Sequence, residues 1–199
     1  MKKNSEPDKM RSYRFFKALL VPIFKFWYRP TIIGKENIPE EGAILIVGNH
    51  KHVYDQCLAI MATKRTIHYM AKKEYFEGRH AWFFRMVGCI PVDRSKKDDG
   101  AVKAALDVLK KKEALGLFPE GTRNKTDQFL LPFKFGAVSM AHKTDALLVP
   151  FGLTGDYKFR SKNLTIRFGK PFKVDIDKKV VMINDYGKSF AKVCLGKEV

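Results

Sequence analysis

The 199-residue chain is poor in cysteine: Cys57, Cys89 and Cys194 lie far apart, and none falls in a Cys-x-x-Cys pair. This spacing excludes a disulfide framework and leaves buried free thiols in a reducing compartment as the expectation. No other metal-ligand spacing is present, so the chemistry is expected to need neither a metal nor a cofactor. The sequence also lacks a run of about 18 uncharged apolar residues, which argues against a spanning helix. The short run Ala18-Leu19-Leu20-Val21-Pro22-Ile23-Phe24 follows basic residues, as in a signal peptide. Lys25 and two bulky aromatics come next, without a small-residue cleavage site, so the segment is expected to be retained. Internal repeats, long linkers, zinc-finger spacing and RNP-type aromatic strands are all missing.

Acidic residues are scarce beside basic ones, 21 against 38, for a net charge of +17. Such an excess points to an anionic partner: nucleic acid, an anionic lipid surface or a phosphorylated substrate. With no nucleic-acid module, and with basic residues spread over many helix-like stretches, nucleic acid is set aside as a partner. The length indicates one domain with room for a large core, and a hydrophobic content of 45% fits a folded protein.

Residues 1–30 carry eight basic residues against two acidic ones, Glu6 and Asp8. From Arg11 to Arg29 the pattern has a helical period. At about 100° per residue, Arg11, Arg14, Lys17, Lys25 and Arg29 share a wedge of roughly 120°. Phe15, Phe16, Leu19, Leu20, Ile23, Phe24, Trp27 and Tyr28 take the rest of the surface, and Pro22 is expected to kink the helix. A wide apolar face, a narrow basic stripe and aromatic ends suit a helix lying in a bilayer interface, with its cations on lipid phosphates. The plainer alternative is a helix packed on its own domain. Residues 1–30 are thus expected to be a membrane-association segment and 31–199 the catalytic domain.

Beyond residue 30, strand-like and helix-like stretches alternate. Strands are expected over Ala43–Val47, Thr66–Ala71, Cys89–Asp93, Ala114–Phe118, Ala146–Leu153 and Leu164–Phe168. Helices are expected over Asp55–Lys64, Glu74–Val87 (with Gly78 as a weak point), Lys96–Lys112, Phe135–Lys143 and Val180–Leu195. This alternation implies an α/β fold: a central, mostly parallel sheet flanked by helices, with the chemistry in loops leaving strand ends.

Two motifs fall at such ends. The first is Gly48-Asn49-His50-Lys51-His52-Val53-Tyr54-Asp55-Gln56. A histidine takes a proton from a hydroxyl near neutral pH, and a carboxylate on its other ring nitrogen fixes the tautomer. His52 and Asp55, three apart, would face each other on a helix, so spacing slightly favours that pair. His50 reaches Asp55 only from the turn before the helix. The second motif is Phe118-Pro119-Glu120-Gly121-Thr122-Arg123-Asn124. Its arginine offers a planar fork suited to phosphate, its glycine allows a tight turn, and its glutamate is a candidate partner for an arginine.

Together these motifs resemble the lysophosphatidate acyltransferase family of the glycerolipid acyltransferase superfamily. Four blocks match in order over about residues 31–170: the N-H-x4-D block at Asn49–Asp55, Gly88-Cys89-Ile90-Pro91-Val92-Asp93-Arg94, an intact F-P-E-G-T-R block at Phe118–Arg123, and Leu148-Val149-Pro150-Phe151. Lys72 and the Lys134-Phe135-Gly136-Ala137 step also resemble family positions.

The resemblance selects His50, not His52, as the catalytic histidine, with Asp55 orienting it. It implies transfer of a fatty acyl group from acyl-CoA or acyl-carrier protein to the sn-2 hydroxyl of lysophosphatidate, making phosphatidate for phospholipid biosynthesis. Lys72, Arg94, Glu120, Gly121, Thr122 and Arg123 become the expected acceptor-binding residues, and residues around Pro150 are expected to face the acyl chain. The expected setting is an anionic membrane surface, with the protein peripheral or monotopic on the cytoplasmic face of the cell membrane. The rival readings are another acceptor (glycerol 3-phosphate, a zwitterionic lysolipid or an acylated amino acid) and a non-catalytic lipid- or nucleic-acid-binding protein.

Overall fold

A computed structural model describes residues 6–128 and 130–174. Seven strands, β1 (Thr31–Ile33), β2 (Ile44–Gly48), β3 (Ile67–Lys72), β4 (Ile90–Val92), β5 (Ala114–Leu117), β6 (Leu147–Thr154) and β7 (Thr165–Phe168), form one sheet. Their order is β1-β7-β6-β2-β5-β3-β4. Every neighbouring pair is parallel except β6–β7. Among the described residues, five α-helices accompany them: α1 (Glu6–Tyr28), α2 (Asp55–Ala62), α3 (Ala81–Met86), α4 (Asp99–Lys110) and α5 (Gly136–Thr144).

The sheet is buried on both faces, which is why β2 and β5 are continuous apolar runs rather than alternating ones. Successive side chains of β2 point to opposite sides. Ile44 and Ile46 join a core with Leu58 and Ala59 of α2 and Phe151 of β6. Leu45 and Val47 join a second core with Ala105 and Leu109 of α4 and Met140 of α5. β2 is central and fully buried, with Ile44 to Val47 wholly shielded from solvent. Because β2, β3, β4, β5 and β6 run the same way, their C-terminal ends lie along one edge, and the loops leaving that edge carry both motifs.

Three sequence expectations shift. The helix expected over Glu74–Val87 is instead a 3-10 turn at Lys73–Phe76 and the separate helix α3. The break holds Gly78, which costs a helix about 1 kcal/mol relative to alanine. The helix expected from Lys96 starts at Asp99, because the Asp98 side chain accepts the Ala101 N–H at 2.9 Å and caps it. β1 has no counterpart among the expected strands. Three residues carry no periodicity, and only pairing with β7 makes them a strand. The helix expected over Val180–Leu195 lies outside the described residues.

α1 runs through Pro22 as one helix and docks on the α2 side of the sheet. Tyr13 is buried, and its hydroxyl accepts the Ile67 N–H at 3.2 Å. Phe16 packs edge-on against Phe83 of α3 at 5.1 Å. Lys17 does not share the exposed basic stripe: its Nζ donates to the Thr63 carbonyl, and burial lowers its pKa to about 8. Phe24 and Tyr28 also turn inward. Phe15, Leu19, Ile23, Phe26 and Trp27 stay at least half exposed, so α1 keeps an apolar face that the domain does not cover.

β2 stops at Gly48, where the Phe151 ring crosses the backbone so closely that a Cβ would sit 2.1 Å from it. Phe151 is fully buried and has nowhere to move. Gly48→Ala is expected to destabilise the protein by roughly 2 kcal/mol through overpacking, which lowers the melting temperature by about 6 °C. Thermal melts followed by circular dichroism check this; an unchanged melting temperature would mean the ring gives way freely.

Candidate active site

Past Gly48 the chain leaves the sheet, and Asn49 holds the exit. Its side chain, buried at 1% exposure, extends the ladder by donating to the Leu153 carbonyl at 3.0 Å and accepting the Leu153 N–H at 2.7 Å. His50 follows in the turn. Its ring stacks on Phe118 at 3.9 Å and 10°, and its Nδ1 meets Asp55 Oδ2 at 2.8 Å.

Asp55 opens α2 and is completely buried. The turn wraps around its carboxylate: the Lys51 and His52 N–H groups donate to Oδ2 at 2.6 and 2.7 Å, and the Tyr157 hydroxyl donates to Oδ1 at 2.6 Å. A buried carboxylate needs donors in place of the water it has lost, and this one has four partners. With Nδ1–H committed to Asp55, the neutral His50 ring presents Nε2 as a proton acceptor. The His50 side chain keeps 12% exposure. The structure thus overrides the i, i+3 spacing: His52 gives Asp55 its backbone N–H, while its ring stacks on Tyr157 at 4.3 Å.

The second motif leaves the end of β5, next to β2. Glu120 is buried at 3% exposure and holds no arginine among its described contacts. Its Oε1 accepts the His50 N–H at 2.7 Å, and its Oε2 accepts the Leu131 N–H at 3.0 Å. The Asn124 N–H returns to the His50 carbonyl at 2.6 Å. The two motifs are therefore laced together at His50. Gly121 adopts a left-handed φ of 72°, and a Cβ there would lie 2.8 Å from the Lys134 side chain. Thr122 and Arg123 are exposed beyond it.

Lys72 ends β3 and Arg94 follows β4, and the parallel register puts both off the same sheet edge as His50 and Arg123. Lys72 pairs with Glu74 at 2.6 Å, and Arg94 is exposed. Cys57 and Cys89 are free, and burial pushes their thiols up to about 12 and about 11, which makes them poor nucleophiles. Among the described residues, no three His, Cys, Asp or Glu side chains gather to hold a metal ion. Tyr157 went unmarked in the sequence, since it lies in a motif-free loop about a hundred positions from its partner.

A mostly parallel α/β sheet thus carries a buried His–Asp pair at its C-terminal edge, and Lys72, Arg94 and Arg123 leave the sheet along that same edge. The sequence profile of the Acyltransferase family matches residues 29–154. The 1-acyl-sn-glycerol-3-phosphate acyltransferase of Bacillus subtilis is 31% identical over 80% of this chain and 81% of its own. The enzyme of the same name from Streptococcus pneumoniae is 30% identical over 94% of this chain and 70% of its own. The crystal structure of the 1-acyl-sn-glycerophosphate acyltransferase from Thermotoga maritima superposes with a TM-score of 0.69 at 19% identity, covering 92% of this chain and 84% of that one. The chain belongs to the acyltransferase family.

Burial pushes the Glu120 carboxyl above its ordinary value of 4.5, and the His50 and Leu131 N–H donors offset only part of that rise. A raised folded-state pKa contributes stability that is complete below the unfolded value and is lost as pH rises through the folded one. The melting-temperature advantage of wild type over Glu120→Gln is therefore expected to be larger near pH ~4.5 than near pH ~7.5. Thermal melts of both proteins across that range check the sign; an advantage that grows with pH would contradict it.

Proposed function

We propose that the enzyme transfers a fatty acyl group from a thioester, acyl-CoA or acyl-carrier protein, to the sn-2 hydroxyl of lysophosphatidate, forming phosphatidate. The observation that carries this reading is the His50–Asp55 contact at 2.8 Å, set at the sheet edge from which Lys72, Arg94 and Arg123 also emerge. The activity for which the Bacillus and Streptococcus relatives are named supports the choice of acceptor.

In this reaction His50 Nε2 takes the acceptor's hydroxyl proton as the oxygen attacks the thioester carbonyl. A C–O bond forms, and the tetrahedral intermediate collapses with loss of the C–S bond. The imidazolium returns the proton to the departing thiolate. Asp55 keeps the ring in the Nδ1–H tautomer and stabilises the transient imidazolium. A positioned base of this kind contributes about 10²–10⁴-fold. Lys72, Arg94 and Arg123 hold the acceptor's phosphate, with Gly121 and Thr122 shaping the turn beside it. Their effect is chiefly positional, keeping the hydroxyl at Nε2. Glu120 serves from behind by fixing the His50 backbone. No cofactor is required by this chemistry.

The uncovered face of α1 supports a setting on an anionic membrane, peripheral or monotopic on the cytoplasmic side. Among the described residues, no helix is long and apolar enough to cross a bilayer. Phe15, Leu19, Ile23, Phe26 and Trp27 would enter the acyl boundary, with Arg11, Arg14 and Lys25 near lipid phosphates.

Purified enzyme given lysophosphatidate and either donor is expected to form phosphatidate. His50→Ala should lose about 10³-fold or more in kcat, while His52→Ala keeps most of it. Loss of turnover in a folded His52→Ala protein, with His50→Ala active, would move the base to the other histidine. Arg123→Ala should raise KM for lysophosphatidate about tenfold and leave KM for the acyl donor little changed. The triple variant Phe15→Ser, Ile23→Ser, Phe26→Ser is expected to bind phosphatidylglycerol vesicles at least about tenfold more weakly in flotation assays. Equal flotation would remove α1 from the membrane contact.

A further inference from the structure

The carboxylate of Asp55 uses its two oxygens differently. Oδ2 faces the turn that contains His50, whereas Oδ1 faces away from it and meets the Tyr157 hydroxyl at 2.6 Å. Tyr157 belongs to no motif in the sequence. It stands in the loop after β6, and its ring is held from several sides: stacked on His52 at 4.3 Å, edge-on to Tyr28 at 5.5 Å and edge-on to Phe24 at 6.4 Å. The same loop is tied to the end of α1 by the Arg160 N–H on the Trp27 carbonyl at 2.8 Å and by Phe159 against Trp27 at 4.8 Å. The hydroxyl is thus delivered to a buried carboxylate by a ring that packing already fixes.

We propose that Tyr157 is a positioning residue of the His50–Asp55 pair: its hydroxyl anchors Asp55 Oδ1, so that Oδ2 is held toward His50 Nδ1. Tyr157 does not touch the reacting atoms and acts through Asp55. Burial and the Asp55 charge push its phenol far above its ordinary value, so it donates at every working pH. The other ionisable groups around the pair are Lys51 and His52 in the turn, Cys57 in α2, Tyr28 from α1, and Glu120 from the loop after β5. None of these donates a side-chain hydrogen bond to Oδ1, so Tyr157→Phe removes that donor while keeping the ring contacts.

The proposal rests on the acyl-transfer reading, and its test separates the two. The first readout is the titration of His50 by NMR of histidine-labelled protein, with the His50 signal identified by its loss in His50→Ala. This needs no substrate. In Tyr157→Phe the carboxylate loses the anchor that holds Oδ2 on His50 Nδ1, so the imidazolium is stabilised less. The His50 midpoint is therefore expected to fall by about half a pH unit. Tyr28→Phe, which deletes a neighbouring hydroxyl from the same aromatic cluster, should leave the midpoint in place. The second readout is acyl transfer, where Tyr157→Phe should lower kcat about tenfold with KM for both substrates within about twofold, and shift the acid limb of the pH–rate profile with the NMR midpoint. An unchanged or raised His50 midpoint would overturn the positioning role, even if activity fell. A wild type inactive with both donors would overturn the proposed reaction, while the titration would still decide the role of Tyr157.

Discussion

A carboxylate buried at the wall of a protein core is tolerable only when protein donors replace the water it has lost. That requirement at Asp55 organises the rest of the site. Three groups of the preceding turn converge on one oxygen, and one tyrosine from across the fold takes the other. The turn between β2 and α2 has its shape because it must wrap this anion. His50 obtains its orientation from the same wrapping. Breaking any one donor would leave part of a buried charge unsolvated, which is far more costly than losing an ordinary surface contact. The dyad is therefore a product of burial as much as of residue choice.

Around that anion the fold adds a second layer of constraint. Asn49 pins the chain to β6 as it leaves the sheet, and the bare backbone of Gly48 lets Phe151 pass beneath. Glu120 holds the His50 N–H from the neighbouring loop, and Phe118 supplies the surface on which the imidazole lies. The two sequence motifs are thus one structural unit, joined through the His50 backbone and ring. The glutamate of the second motif works as an anchor turned inward, while its arginine points out to solvent.

The N-terminal helix divides its labour in the same way. One face docks through Tyr13, Phe16, Lys17 and Phe24, and another leaves Phe15, Leu19, Ile23 and Phe26 uncovered. The described domain leaves this apolar strip exposed. Its far end contacts the loop that carries Tyr157. Helix, loop and the buried carboxylate of Asp55 are therefore mechanically continuous.

Patterning alone identified the central strands, since buried parallel strands are short apolar runs whatever surrounds them. The order of the motifs likewise identified the acyltransferase likeness. Periodicity placed Lys17 in the basic stripe of the first helix, because no local rule reports the Thr63 carbonyl that takes it inward. Local spacing preferred His52 over His50 for the same reason: an i, i+3 rule applies inside a helix, and both histidines precede α2. Glu120 as a backbone anchor, β1 as a strand and Tyr157 as a partner of Asp55 were all invisible in the sequence. Each depends on a contact between segments far apart in the chain, and such contacts exist only once the sheet has set their distance. What the sequence by itself determined was the set of chemical groups and the strand ends that carry them. Which groups meet was decided by the tertiary structure, through the burial of one carboxylate and the need to satisfy it.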